Sequence, residues 1–376
     1  MSLPNVASAR THTVRPGKSI QAAVDAARPG DTVRVLAGDY HEDHAGTSAV
    51  RLTKPIKLIA SGKVRLLPFR DQTSGIVAEG APGAELDGVE IVGFTVEGFN
   101  NNGIWLAYVN HFNIERNVSI DNLENGIWPT LSANGQVKKN VAYGSLDSAL
   151  WIEASENVRV IDNDIHHSPT GVEVTLSRDL VIEHNDIHHN TVGIGLYHPA
   201  AAGLPQSTWP TWPFGNLRVA ENHVHDNNLP NAAQGGEVAL LPPGLGMLIL
   251  GTADVSVKEN LIERNDFVGV AMMDWCVALG DPGCFSTSLP KGYEHTAVDA
   301  ARVVENKFAG NHTGAGPPPF GPFASDVLYV GADLFGPLPA GVNNCERGND
   351  LYARNGGPAL VVSLPDGALP RCTYDE

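Results

Sequence analysis

Apolar and polar residues alternate with period two in short runs such as Val158-Arg159-Val160. That pattern predicts β-strands with one face buried and the other in solvent. The runs are interrupted at a regular interval. Asn117, Asn140, Asn163 and Asn185 stand 23, 23 and 22 residues apart. Two positions after each is a small or apolar residue (Ser119, Ala142, Ile165, Ile187), and five positions after each is Asn122, Ser145, Ser168 or Asn190. A small residue and a fresh strand follow: Gly126-Ile127, Ala149-Leu150, Gly171-Val172, Gly193-Ile194. The frame continues at Asn222, Asn260 and Asn306, and its polar position at Asn227, Asn265 and Asn311, with insertions between.

A unit of 22 to 23 residues that holds three short strands cannot bury its own apolar face, so units must stack. Parallel strands stack about 4.8 Å apart, which turns equivalent positions into ladders. Inward Ile, Val and Leu fill the core, and inward Asn at the turns can bond to the amide of the neighbouring unit. The expected fold is all-β, a right-handed parallel β-helix. Ser19 to Ala27 reads as a short amphipathic helix ended by Pro29-Gly30, placed to cap the open end of the core. Strands follow at Asp31–Tyr40 and Lys54–Ile59.

The stretch Lys18 to Ile59, with its capping helix, its Pro-Gly-Asp-Thr-Val and its Ala-Gly-Asp-Tyr, resembles the N-terminus of pectate-lyase-like right-handed β-helix proteins. Asn163-Asp164-Ile165-His166-His167 and Asn185-Asp186-Ile187-His188-His189 resemble their generic coil repeat. The resemblance implies a single β-helix domain over 1–376. A capping helix would lie at about 18–30 and regular coils at about 31–311, with insertions at 199–215, 228–245 and 275–300. Decorated C-terminal coils would fill about 312–376. It implies no single activity, because polysaccharide lyases, hydrolases, epimerases, tailspikes and binding proteins share the fold. The motifs Asn-Thr-Asp, Gly-His-Gly, Arg-Ile-Lys, Asp-Pro-His and Trp-x-Asp-His, which mark particular members, are absent.

Composition narrows the partners. The formal net charge of -17 argues against nucleic acid, which requires clustered Lys and Arg. It also disfavours an anionic polysaccharide unless a cation such as Ca2+ bridges the like charges. No other cofactor is expected. No stretch of 18 apolar residues is present, so no membrane span is expected. Four cysteines, Cys276, Cys284, Cys345 and Cys372, allow three connectivities, of which local pairing gives 276–284 and 345–372. Two disulfides imply an oxidising compartment, and hence a secreted, periplasmic or cell-surface protein. Met1 to Arg10 lacks the apolar core of a signal peptide, so the signal is expected to have been removed.

The same register aligns side chains on the outside. Trp105, Trp128 and Trp151 share one outward position with Glu173 and Gly195; Thr130, Glu153, Thr175 and Tyr197 share the next. Stacked outward Trp rings form an apolar platform matched to the C–H face of a sugar. Glu153 and Glu173 are expected about 8 Å apart at the backbone, which can hold carboxyls at the roughly 6.5–9.5 Å spacing of an inverting glycosidase. Tyr197 or His198 could instead move a proton in an elimination, and Asp147 is a further acid. The insertions bring Trp209, Trp212, Asp274 and Trp275 as candidate groove walls. His166, His188 and His225 form another ladder, but the coil repeat explains their regularity without a metal, so no metal ligand is assigned.

The expected function is therefore polysaccharide-active, a glycan hydrolase or lyase. Its catalytic candidates are Glu153, Glu173, Tyr197, His198 and Asp147, and its binding candidates are Trp105, Trp128, Trp151, Trp209, Trp212, Asp274 and Trp275. The rivals are a non-catalytic carbohydrate-binding or surface protein, and a metal-handling β-helix protein built on the histidine ladder.

Overall fold

The computed structural model describes residues 8–198, 204–279, 297–314, 316, 321–331, 343–352, 357–364 and 369–373. Among them, strands form one 23-stranded and one 11-stranded sheet, and neighbouring strands are parallel except Asp350–Leu351 with Gly357–Pro358. A representative coil runs Thr170–Thr175, Arg178–Glu183, Asp186–His188, and the next runs Val192–Tyr197, Gly215–Ala220, His223–His225. The first strand of each coil joins the 11-stranded sheet and the other two join the larger one. In the first coils those two are one long strand, Thr32–His41 or Lys57–Leu67, with a register shift in its middle.

The Asn repeat has a direct physical role. Asn163 Oδ1 accepts from the backbone N of Asn140 at 2.9 Å, and its Nδ2 donates to Val137 O at 3.0 Å. Asn185, Asn222, Asn260 and Asn306 do the same in their coils. The residue before each of these Asn sits in the left-handed region: Asp162 at φ 56°, His184 at 57°, Glu221 at 56°, Glu259 at 57° and Glu305 at 56°. That conformation costs about 1–2 kcal/mol for a residue with a Cβ. Hydrogen bonds of about 1 kcal/mol each, made to groups that would otherwise be buried unpaired, offset it.

The recurring small residue is explained by the carbonyl of the neighbouring strand, with the second polar ladder close behind it. A Cβ on Gly171 would stand 2.5 Å from Gly193 O and 2.8 Å from Asn190 Nδ2. Ala149, at the same position, precedes the coil in which Ser168 stands in place of Asn.

The capping helix α1 spans Ile20–Ala26. Ser19 caps it through Ala22 N at 3.0 Å, and Glu42 takes Ile20 N and Gln21 N at 2.7 and 3.0 Å. Ile20 and Val24 point into the end of the core. Inside the solenoid one apolar cluster runs from Val14 to Tyr329. A second cluster lies outside it, on the outer face of the 11-stranded sheet, and includes Tyr197, Leu248, Leu250, Ala271, Trp275 and Leu328.

Candidate functional site

The outer face of the 11-stranded sheet follows the predicted register. Trp105 pairs with Trp128, Trp151 with Glu173, Glu173 with Gly195, Gly195 with Leu248, and Leu248 with Ala271. The three Trp rings stack, Trp105 on Trp128 at 5.8 Å and Trp128 on Trp151 at 5.0 Å with 6° between planes. They are less open than a free platform: Trp105 and Trp128 are half-buried and Trp151 is 6 % exposed. Trp151 Nε1 donates to Thr175 Oγ1 at 3.0 Å, whereas the buried Trp105 and Trp128 indole nitrogens have no partner. What the ladder presents is ring carbon, suited to C–H contact and not to hydrogen bonding.

Beyond Trp151 the ladder changes character. Glu173 stands where the fourth Trp would be, and Gly195 follows it. A Cβ on Gly195 would collide with the ring of Tyr197, which lies back over this glycine. Glycine here makes room for a folded-back tyrosine. Its hydroxyl thereby reaches Thr170 Oγ1, 3.4 Å away at the start of the neighbouring strand. Beside it, Ser148 Oγ donates to Glu173 Oε2 at 2.5 Å. Glu173 and Tyr197 form one side of a cavity of about 260 Å³. Leu248, Leu250, Ala271 and Met273 continue its floor. Its roof comes from two insertions: Glu237, Leu240, Leu241 and Pro242 from the segment before the strand Leu245–Leu250, and Trp275 with Ala278 from the segment after Val268–Met273.

This roof sets the electrostatics. Burial pushes the Glu173 carboxyl well above the usual carboxylate range, and the negative charges of Asp147 and Glu153 push the same way against the Ser148 hydrogen bond. Burial also raises Asp147, to about 6, helped by the charges of Glu124 and Glu237. Tyr197 is raised well above 10 by burial and by Glu173, so its phenol is a donor and not a base at neutral pH. Among the described residues lining the cavity there is no Lys or Arg.

The residues expected from the sequence divide into groups. Asp147, Glu173 and Tyr197 interact at the N-terminal end of the strands. Glu153 belongs to the other end: it is fully buried and accepts from Thr130 Oγ1 at 3.1 Å. His198 is fully buried too and stacks on Trp275 at 5.6 Å. Asp274 is buried and caps the helix α2, Trp275–Leu279, by accepting from Cys276 N and Val277 N at 2.8 and 3.1 Å. Trp209 donates to Leu204 O and packs against the interior cluster, and Trp212 lies under Arg178 at 4.9 Å. Neither Trp209 nor Trp212 lines the cavity, whereas Trp275 does. Glu237, Ser148 and Thr170 join the site from outside the expected residues. Glu237 lies in an insertion without repeat register and carried no signal. Ser148 and Thr170 carried one: they are polar at a strand position that Val192, Leu245 and Val268 fill with apolar side chains. Of the expected disulfides, Cys345–Cys372 is formed. Cys276 is buried and not free, and Cys284 lies outside the described residues.

The histidine ladder forms on another outer face. His166 stacks on His188 at 5.0 Å and His188 on His225 at 5.1 Å. Acids on this open face behave oppositely to those in the cavity. At Asp226 burial resists ionisation, but hydrogen bonds from Arg264 and His225 outweigh it and hold the carboxyl down to about 2. Asp186 is lowered chiefly by its hydrogen bond to His225.

Comparison with known proteins agrees with this architecture. Residues 102–279 match the model of the right-handed β-helix region family. The A-module of an Azotobacter vinelandii mannuronan C-5 epimerase, AlgE6, superposes with a TM-score of 0.65 at 16% identity, over 94% of this chain and 93% of that one. The A-module of AlgE4 from the same organism gives 0.63 at 15% identity, over 94% of both chains. A mutant tailspike protein of E. coli bacteriophage HK620, in complex with a pentasaccharide, gives 0.57 at 14% identity, over 93% of this chain and 60% of that one. No curated protein sequence matches the chain. Among the described residues no helix is long and apolar enough to cross a membrane. With its parallel coils and its Asn ladders, the chain has the fold these structures share, a right-handed parallel β-helix.

Proposed function

We propose that this protein is an extracytoplasmic, polysaccharide-active enzyme that hydrolyses a neutral glycan at the cavity beside the Trp ladder. The observation that carries this reading is the buried Glu173 carboxyl, pushed well above the usual carboxylate range, next to Asp147, whose carboxyl is raised to about 6. Two neighbouring carboxyls with separated titrations are the arrangement acid–base hydrolysis requires. Glu173 donates its proton to the glycosidic oxygen, and Asp147, ionised above about pH 6, is the carboxylate that draws a proton from water. Tyr197 donates a hydrogen bond to a sugar oxygen. This replaces Glu153 by Asp147 as partner of Glu173, because Glu153 is engaged with Thr130 at the far end of its strand.

The cavity chemistry supports a neutral substrate. An anionic sugar would meet Glu237 at the wall and Asp147 close by, with no Lys or Arg among the described lining residues to balance it. Apolar walls of Leu and Trp suit the C–H face of a sugar ring or an acyl substituent. The mannuronan epimerases and the pentasaccharide-bound tailspike among the structural relatives support the polysaccharide class, and the Cys345–Cys372 disulfide supports an oxidising compartment.

The test is product release from a panel of neutral oligosaccharides. Wild type should release reducing ends, and Glu173→Gln should lower the rate by about 100-fold or more with binding retained. A product absorbing near the ultraviolet cut-off would instead mean elimination. Binding without product release from any panel member would make the protein a carbohydrate-binding module.

A further inference from the structure

The histidine face contains an arrangement that stacking alone does not require. Asp186 lies in register with His223, and His188 with His225. Asp186 Oδ1 is 2.9 Å from His225 Nε2 and 3.4 Å from His223 Nδ1. One donor atom from each of these three residues lies within 4.8 Å of the others. A dication about 2.0–2.1 Å from each of three tetrahedral ligands holds their donor atoms about 3.3 Å apart, close to the spacing Asp186 Oδ1 already keeps from both histidines; the two imidazoles, stacked at 3.9 Å with 25° between planes, turn to aim both nitrogens at the ion. Asp186 is 52% exposed at its side chain, which leaves a further coordination position open to solvent.

The second observation concerns the ring nitrogens that face away. His225 Nδ1 lies 2.7 Å from Asp226 Oδ2, and His223 Nε2 lies 3.1 Å from Glu263 Oε1. Arg264 holds both carboxylates: its Nε and Nη2 donate to Asp226 at 3.0 and 2.8 Å, and its Nη1 donates to Glu263. Each imidazole therefore has a carboxylate behind it, which fixes the tautomer and raises the basicity of the nitrogen that faces Asp186. His166, in the same stack, lacks this support, and its Nδ1 faces His167 Nδ1 at 2.7 Å.

From this geometry we propose that Asp186, His223 and His225 form a binding site for a divalent transition metal of the zinc class, with Asp226, Glu263 and Arg264 as positioning residues. Two imidazoles and one carboxylate select borderline ions such as Zn2+ over Ca2+ or Mg2+. The site is independent of the glycan reading and would stand if that reading failed.

Calorimetric titration of the full chain with Zn2+, after chelator treatment and dialysis, tests this. One equivalent should bind. His223→Ala and Asp186→Asn should each weaken binding by about 10-fold or more, and Asp226→Asn by about 10–100-fold. His166→Ala should leave it within about two-fold. Co2+ should give a visible absorption band that His223→Ala abolishes. Circular dichroism separates loss of the site from loss of the fold, and the exposed Asp186→Asn carries the decision if His223→Ala unfolds. Absence of Zn2+ binding at micromolar protein, or binding that follows His166 and ignores Asp186, would overturn the proposal and leave the cluster an ion-pair network.

Discussion

The outer face with Trp151 and Glu173 and the outer face with His188 and His225 are built by the same repeat, yet their acids titrate in opposite directions. Glu173 and Asp147 are pushed up, and Asp186 and Asp226 are pushed down. The difference is the roof. Insertions cover the first face and bury its carboxyls among Leu, Trp and each other. The second face stays open and pairs its acids with histidine and with Arg264. Desolvation wins where no cation is present, and hydrogen bonding wins where one is.

Gly195→Ala should break the contrast most strongly. The added methyl meets the Tyr197 ring, so the tyrosine must leave its place over the strand or the coil must shift. The expected cost is about 1–3 kcal/mol, read by denaturant unfolding, together with loss of glycan turnover. Unchanged stability and activity would mean that the ring is not held there.

Asp147→Asn should act next. The folded-state carboxyl titrates near 6 against an ordinary 3.8, so the fold loses stability as pH rises from about 4 to about 6. The amide removes that loss. The variant should be more stable than wild type at pH 7 by about 1–2 kcal/mol, with no difference below about pH 4, measured by thermal melts across pH. Its glycan turnover should fall at the same time.

Asp226→Asn should show the opposite sign and the smallest effect. That carboxylate contributes stability above its ordinary 3.8 and loses it as pH falls through about 2. The variant should be less stable at pH 7 by at most about 1 kcal/mol, a difference that vanishes in strong acid. Equal signs for Asp147→Asn and Asp226→Asn would refute the account of the two faces.

Much of this was legible from spacing. The Asn positions, the small residue before each strand and the outward Trp register all follow from a 23-residue period, because equivalent positions in stacked parallel coils must touch. The first turn of the capping helix was legible from Ser19, though the role of Glu42 in binding its amides was not. Pairing Glu153 with Glu173 from the register missed that each carboxyl leans toward a different hydroxyl, on Thr130 and Ser148. Side-chain direction within a coil depends on those local donors, not on the period. Likewise, the ladder His166, His188 and His225 was visible as a sequence pattern, whereas the convergence of Asp186, His223 and His225 crosses from one coil to the next through a 37-residue separation.

The sequence by itself determined the solenoid, its register and which side chains point outward, since a short period repeated many times leaves one way to bury its apolar face. Only the tertiary structure decided what those outward side chains became. The insertions follow no period, and where they fold over the sheet decides which carboxyls lose water. Desolvation is a property of the assembled surface, and it is what separates the carboxyl pushed up at Glu173 from the one held down at Asp226.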